Sequence, residues 1–254
     1  MLPCFSILGI TIHSYGLMAA LALIAANASA FPIIRRKRIS AYEIMLLEAY
    51  MLLGALLGSK LLYLAVSFRE IDWRLFLSSF DYFSALLNSG FVFYGGLIGG
   101  IASFFLGAHI HGCDGLSILD DFIYAVPLAH GIGRIGCFLS GCCYGVEYDG
   151  ILAVHNAYLP YTVFPVQLLE AALLFILSAY LLMLTMRNAR NRTRIYLLSY
   201  SAIRFMTEFF RADAARGRIG GISLSQAISL AILISVIISL PFIPDRDQNA
   251  NDRV

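Results

Sequence analysis

Apolar stretches of bilayer length recur along this chain near residues 15–34, 41–67, 90–110, 117–140, 163–186, 195–211 and 222–243. A hydrocarbon core of about 30 Å takes about 20 residues of helix to cross, so these stretches set both the class and the architecture. Hydrophobic residues make up 59% of the chain and charged residues 13%, where a water-soluble domain carries about a quarter. Backbone groups in lipid must be satisfied within their own segment, and no strand-like alternation runs through the stretches. The expected fold is all-α, a polytopic membrane protein of about seven transmembrane helices with an outer-side interfacial cap.

Basic residues orient the expected helices. Arg35-Arg36-Lys37-Arg38 form one cluster, Arg187, Arg190, Arg192 and Arg194 another, and Arg246 and Arg253 lie in the tail. Cytoplasmic loops carry the Lys and Arg excess, so the expected N-terminus is outside and the C-terminus cytoplasmic. Residues 1–243 are then one seven-helix membrane domain with outer loops 68–89, 141–162 and 212–221, and 244–254 form a cytoplasmic polar tail. The segment 68–89 is too polar to span and suits an interfacial amphipathic cap. Ala28-Ser29-Ala30 has the small residues of a signal-peptide cleavage site. Residues 1–14 carry no Lys or Arg, however, and the basic cluster follows the segment, so an uncleaved helix is expected. No internal repeat supports a transporter built from similar halves. The net charge of +2 says little about partners, and no nucleic-acid partner is expected.

The run His130-Gly-Ile-Gly-Arg134-Ile-Gly136-Cys137 places His130, Arg134 and Cys137 at i, i+4 and i+7, on one helical face. A guanidinium at the bilayer centre costs about 2.5–3.5 kcal/mol on insertion scales. Two readings fit: a polar cavity holding an anion, or a helix end whose arginine reaches the headgroups. Arg204, Glu208 and Arg211 repeat the same spacing. There the glutamate can orient one guanidinium and leave the other to grip a phosphate, or all three form a structural ion-pair ladder. Tyr94 precedes Gly95-Gly96 and Gly99-Gly100, which suit close helix packing. Tyr15 stands at the outer end of the first span. Glu43, Glu48, Lys60 and Glu170 are further intramembrane charges, whose partners spacing cannot name. Cys137, Cys142 and Cys143 are clustered, but no second cluster gives the usual zinc pairing. They suit either a reactive thiol beside Arg134 or small apolar filling.

Four segments together resemble the prolipoprotein diacylglyceryl transferases: His13-Ser-Tyr15-Gly16-Leu-Met18, Tyr94-Gly95-Gly96-Leu-Ile-Gly99, His130 to Gly145, and Arg204-Phe-Met-Thr-Glu208-Phe-Phe-Arg211. Pro165-Val166-Gln167-Leu168-Leu169-Glu170 is a weaker fifth. Order and spacing agree across nearly the whole chain. The resemblance implies a seven-helix enzyme of the bacterial cytoplasmic (inner) membrane. Such an enzyme moves a diacylglyceryl group from phosphatidylglycerol, a membrane lipid, to the thiol of the lipobox cysteine in a prolipoprotein signal peptide. A thioether forms and glycerol phosphate leaves. No metal or organic cofactor is implied. By resemblance Arg134 and Arg204 are the catalytic arginines, with Tyr94 and Glu208 also catalytic. Tyr15, His130, Cys137, Gly145 and Arg211 are the expected substrate-binding residues.

Three positions depart from the family pattern. Tyr94 stands where the family usually has histidine, Cys137 where it usually has asparagine, and Cys142 where a glutamate often stands. Histidine is a ready base near neutral pH, and tyrosine is a poorer one. Either Tyr94 donates a hydrogen bond or acts as a shifted base, or His130 or Glu208 takes the proton, or the chain serves another acceptor. Competing classes are a membrane thiol oxidoreductase using Cys137 with Cys142 or Cys143, a divergent lipid-headgroup transferase, and a lipid-binding protein without catalysis.

Overall fold

The computed structural model describes residues 2–7, 10–88, 90–212, 218–219 and 222–239. Helices occupy all seven of the apolar stretches. They are α1 (Ser14–Lys37), α2 (Ala41–Val66), α5 (Phe93–Ile110), the pair α6 (Gly115–Phe122) and α7 (Ala125–Leu139), α8 (Val166–Met186), α9 (Arg192–Glu208) and α10 (Leu224–Ser239). Four of them, α1, α2, α5 and α8, are by themselves long and apolar enough to cross a membrane. A fifth span results if α6 and α7 are taken together. The stretch expected at 117–140 is thus broken, with a bend of 51°. The Tyr124 carbonyl at the break accepts a hydrogen bond from the Ser178 hydroxyl at 2.8 Å, which satisfies a group that lipid could not. The tail 244–254 and most of the loop 212–221 lie outside the described residues.

Short hairpins occupy segments that the apolar pattern left open. β1 (Cys4–Ile7) pairs antiparallel with β2 (Ile10–His13) just before α1, and β3 (Val154–His155) pairs with β4 (Thr162–Val163). A third pair joins β5 (Arg218–Ile219) and β6 (Ile222–Ser223). Ala28 to Ala30 lie in the interior of α1, where the Ser29 carbonyl accepts from the Tyr124 hydroxyl at 2.8 Å.

The chain divides into two compact units: Met1–Ile33 with Asp120–Val254, and Ile34–Leu119. In the second unit α2 starts at the N-cap Ser40, whose hydroxyl accepts from the Glu43 N–H. α2 packs on α5 through glycine. A Cβ on Gly58 would run into the Gly95 carbonyl, and one on Gly99 into the Gly54 carbonyl. The paired glycines of the sequence therefore do allow close approach, against a second set in α2. Between these helices lie α3 (Trp73–Ser78) and α4 (Phe80–Asn88), joined by an aromatic cluster of Phe68, Trp73, Phe76 and Phe83. They fill the segment expected to be an amphipathic cap. Lys60 donates to the Leu86 and Leu87 carbonyls, so this intramembrane cation caps the last turn of α4.

In the first unit α8 packs against α7 and α9, and α9 packs against α10. α9 begins at Asn191, with φ of 61°, and its first turn is held by acid. The Asp120 carboxylate accepts from the Thr193 N–H at 2.7 Å and from Arg192 Nε at 3.0 Å, while Arg192 Nη2 meets Asp121 at 2.5 Å. Arg192 is buried. The basic cluster of the sequence therefore loses this member, which belongs to an internal ion pair and not to a cytoplasmic surface.

Candidate functional site

Three arginines and two glutamates from α7, α8, α9 and the residues just after it form one continuous buried network. Arg134 Nη2 donates to Glu170 Oε1 at 2.8 Å. The other oxygen of Glu170 lies 3.7 Å from Arg211 Nη1. Arg211 Nε lies 3.9 Å from Glu208 Oε2, and that same oxygen lies 2.7 Å from Arg204 Nη2. Arg204 Nη2 also donates to the Ser225 hydroxyl of α10 at 3.0 Å. The Glu170 side chain is fully buried, and the Arg134 and Arg204 side chains are 12% and 8% exposed.

The spacing of each helix explains the arrangement. Arg204 and Glu208 share a face of α9, and the chain turns after Phe209 to bring Arg211 back beside Glu208. Glu170 sits one turn into α8, which begins after Pro165. It bridges Arg134 to Arg211, so the carboxylate the sequence left undecided is the centre of the network. The network has one formal positive charge in excess. Arg134 Nε and Arg204 Nη1 are buried donors with no hydrogen-bond partner among the described residues. Buried charges are stable only when paired, so spare donors and spare positive charge together suit an anion.

The turn after α7 carries the cysteines. Gly141, with φ of 73°, occupies the left-handed position past the end of the helix. The Gly141 N–H donates to the Phe138 carbonyl at 3.2 Å and the Cys142 N–H to the Cys137 carbonyl at 3.1 Å, the paired bonds of a Schellman cap. This cap folds Cys142 back over Cys137. Cys143, itself left-handed with φ of 61°, completes the group, and the three sulfur atoms lie within 4.8 Å of one another. None of the three is in a disulfide. Hydrogen bonds from Cys137 and Cys142 pull the Cys143 thiol below the usual thiol range, aided by Arg211 despite burial, and Cys142 is pushed up in turn. Asn156, fully buried, locks the turn by donating to the Gly141 carbonyl at 3.1 Å. Gln167 donates to the Cys142 carbonyl at 2.7 Å. The sequence reading named Gln167 only as part of its fifth segment and did not name Asn156.

Gly145 bridges to Arg211 in antiparallel fashion, its N–H donating to the Phe164 carbonyl at 3.2 Å. A Cβ there would meet the Phe164 and Phe210 carbonyls, so the glycine permits the pairing that fixes Arg211. Gly145 thus shapes the backbone of the site instead of offering a side chain to it. Tyr15, on the first turn of α1, is half exposed and lies near Cys137, Cys142 and Arg134. His130 packs its ring against Tyr200 at 5.5 Å. One unit therefore brings together Arg134, Arg204, Glu208, Arg211, Cys137, Gly145 and Tyr15. Tyr94 belongs to the other unit, in the first turn of α5, where its ring meets Phe93.

A family model described as prolipoprotein diacylglyceryl transferase matches residues 3–241. The chain is 34% identical over 239 residues to the phosphatidylglycerol–prolipoprotein diacylglyceryl transferase of Clostridium tetani, covering 91% of this chain and 92% of that one. It is 34% identical over 242 residues to the second such transferase of Clostridium perfringens, with 91% of each chain covered. The transferase of Pseudoalteromonas atlantica is 32% identical over 246 residues, with 94% of this chain and 84% of the relative covered. With the family match running over residues 3–241, the chain belongs to the prolipoprotein diacylglyceryl transferase family.

Proposed function

We propose that this chain transfers the diacylglyceryl group of phosphatidylglycerol to the lipobox cysteine thiol of a prolipoprotein. Glycerol phosphate leaves as the thioether forms. The observation that carries the reading is the buried network joining Arg134 and Arg204, with its single excess positive charge and its spare donors. A phosphodiester headgroup carries one negative charge. Attack at the glycerol carbon bearing that phosphate breaks the carbon–oxygen bond, and charge grows on the leaving oxygen. Guanidiniums held there by carboxylates, away from water, stabilise that charge without having to reorganise. Glu170 and Glu208 serve as holders. Each is already engaged by a guanidinium, Glu170 by Arg134 and Glu208 by Arg204. Tyr15, His130 and Cys137 are assigned to the substrate side of the same site. Tyr94 lies in the other unit, and its reading as a hydrogen-bond donor or a shifted base rests on its motif alone.

The same reading puts the chain in the bacterial inner membrane, N-terminus outside and C-terminus cytoplasmic, with the Arg35 to Arg38 cluster on the cytoplasmic face. Thiol labelling of single-cysteine reporters at the two ends of α1 tests this. Label reaching residue 38 only from outside intact cells would reverse the orientation.

The decisive assay mixes the purified chain with phosphatidylglycerol vesicles and a lipobox peptide, and follows release of glycerol phosphate with the mass of the peptide. Stoichiometric release with thioether formation is expected. Lipid binding without release would make this a lipid-binding protein. A thiol oxidoreductase is not favoured, because the relatives are transferases.

A further inference from the structure

The cysteine trio is a group of reactive side chains, among the described residues, to which the arginine chemistry above gives no step. Three sulfurs lie within 4.8 Å of one another on a single capped turn. Tetrahedral zinc with sulfur bonds of about 2.3 Å holds its ligands roughly 3.8 Å apart, so small side-chain rotations would close the trio on an ion. The backbone favours the grouping. Gly141 and Cys143 both take left-handed conformations, an ordinary one for glycine and an unusual one for cysteine, and Asn156 and Gln167 fasten the turn from the side. Arg211 pairs with Gly145, two residues past Cys143, and would offset part of the negative charge of three thiolates around a dication.

We propose that Cys137, Cys142 and Cys143 bind a zinc-type ion whose fourth position takes the lipobox thiol. This rests on the transferase reading above and supplies what that reading lacks. Glu170 and Glu208 are engaged by arginine, and Tyr94 stands where a histidine base is usual. A thiol that coordinates zinc is deprotonated without a side-chain base. Structural zinc sites have four protein ligands, whereas three leave a position open for chemistry. The peptide thiol loses its proton to water as it coordinates. Its sulfur then forms the bond to the glycerol carbon while that carbon's bond to the phosphate oxygen breaks. The electron pair departs on glycerol phosphate, at Arg134 and Arg204. The neutral thioether is a weak ligand and leaves the ion. No oxidant or reductant is needed.

The test uses the full chain in lipid nanodiscs, purified without a metal-binding tag. Elemental analysis is expected to find about one zinc per chain, as three-cysteine sites hold a single ion. Cys142→Ser and Cys143→Ser should lose it, and Cys142→His, which keeps a ligand, should retain it. Cobalt substituted for zinc should give sulfur-to-metal absorption that shifts when lipobox peptide is added, and not with a peptide whose cysteine is serine. A chain without metal, a disulfide within the trio, metal retained by both serine variants, or cobalt bands blind to the peptide thiol would each overturn the proposal. Transfer by metal-free protein would sink the site and leave the transferase reading standing. A peptide-dependent cobalt shift without glycerol phosphate release would do the reverse.

Discussion

The seam between α2 and α5 and the network joining α7, α8 and α9 solve one problem in opposite ways. Lipid gives apolar side chains no reason to leave it for each other, so membrane helices need another source of affinity. The α2–α5 pair uses close backbone approach at Gly54, Gly58, Gly95 and Gly99. The α7–α8–α9 group uses charge, with Glu170 placed between Arg134 and Arg211. A glycine seam is uncharged and closed. An ion network with an unmatched positive charge is open to a ligand. Under the proposed function the first region is packing and the second holds the lipid phosphate, and each half of that claim can be tested separately.

The largest effects should come from the arginines. Arg134→Gln and Arg204→Gln should each lower kcat for lipid transfer by about 10²–10³, the scale for removing one preorganised transition-state donor. Near-normal turnover in either would make the network structural, like the seam, and erase the contrast. Glu170→Gln sharpens it. That change leaves two buried guanidiniums short of a counter-charge and should cost about 3–5 kcal/mol of stability, seen as a lowered Tm in detergent. The double variant Arg134→Gln with Glu170→Gln removes both charges of the pair. It should recover much of that Tm while transfer stays lost. Recovery of both together would mean that Arg134 acts only through stability.

How far the sequence could be read follows from the distance between partners. Arg204 and Glu208 stand on one turn, so their pairing was visible from spacing. Glu170 finds Arg134 across 36 residues, and no periodicity reports that. Arg192 is the sharper lesson. It sits among arginines that read as a solvated cluster, yet it is buried against Asp120 and Asp121 more than 70 residues away. The helix positions were legible because apolar length alone sets them. The break at Ile123 and Tyr124 was not, since Ser178 from another helix makes it tolerable. The cysteine trio was half legible: the spacing put three thiols nearby, and only the capped turn shows that they converge. Asn156 carries that convergence, and Asn156→Ala should cost about 1–3 kcal/mol by leaving the Gly141 carbonyl without its amide donor. It should also raise the alkylation rate of Cys142, measured by mass shift over time. An unchanged rate would mean that the Schellman cap holds the turn alone.

The smallest effects separate residues that look alike in sequence. Gly95-Gly96 and Gly99-Gly100 read as two equivalent pairs. In the α2–α5 seam they are not equivalent. A Cβ on Gly95 or Gly99 would collide with backbone carbonyls of α2, which cannot move without parting the helices. On Gly96 it would meet the Ala55 carbonyl at 3.3 Å, and on Gly100 the Met51 carbonyl at 3.3 Å, contacts that a shift of a few tenths of an ångström relieves. Gly95→Ala and Gly99→Ala should therefore lose about 1–3 kcal/mol, the usual cost of overpacking. Gly96→Ala and Gly100→Ala also gain helix propensity, up to about 1 kcal/mol, which offsets their mild crowding. Their Tm should stay within a few degrees of the parent. Gly99→Ala and Gly100→Ala should keep kcat per folded molecule, because no residue of their turn is assigned to the chemistry, whereas Gly95 and Gly96 follow Tyr94 and are compared by Tm alone. Equal losses at all four glycines would show that the helices pack along a different line, and a fall in kcat at constant Tm would give the seam a share in the chemistry.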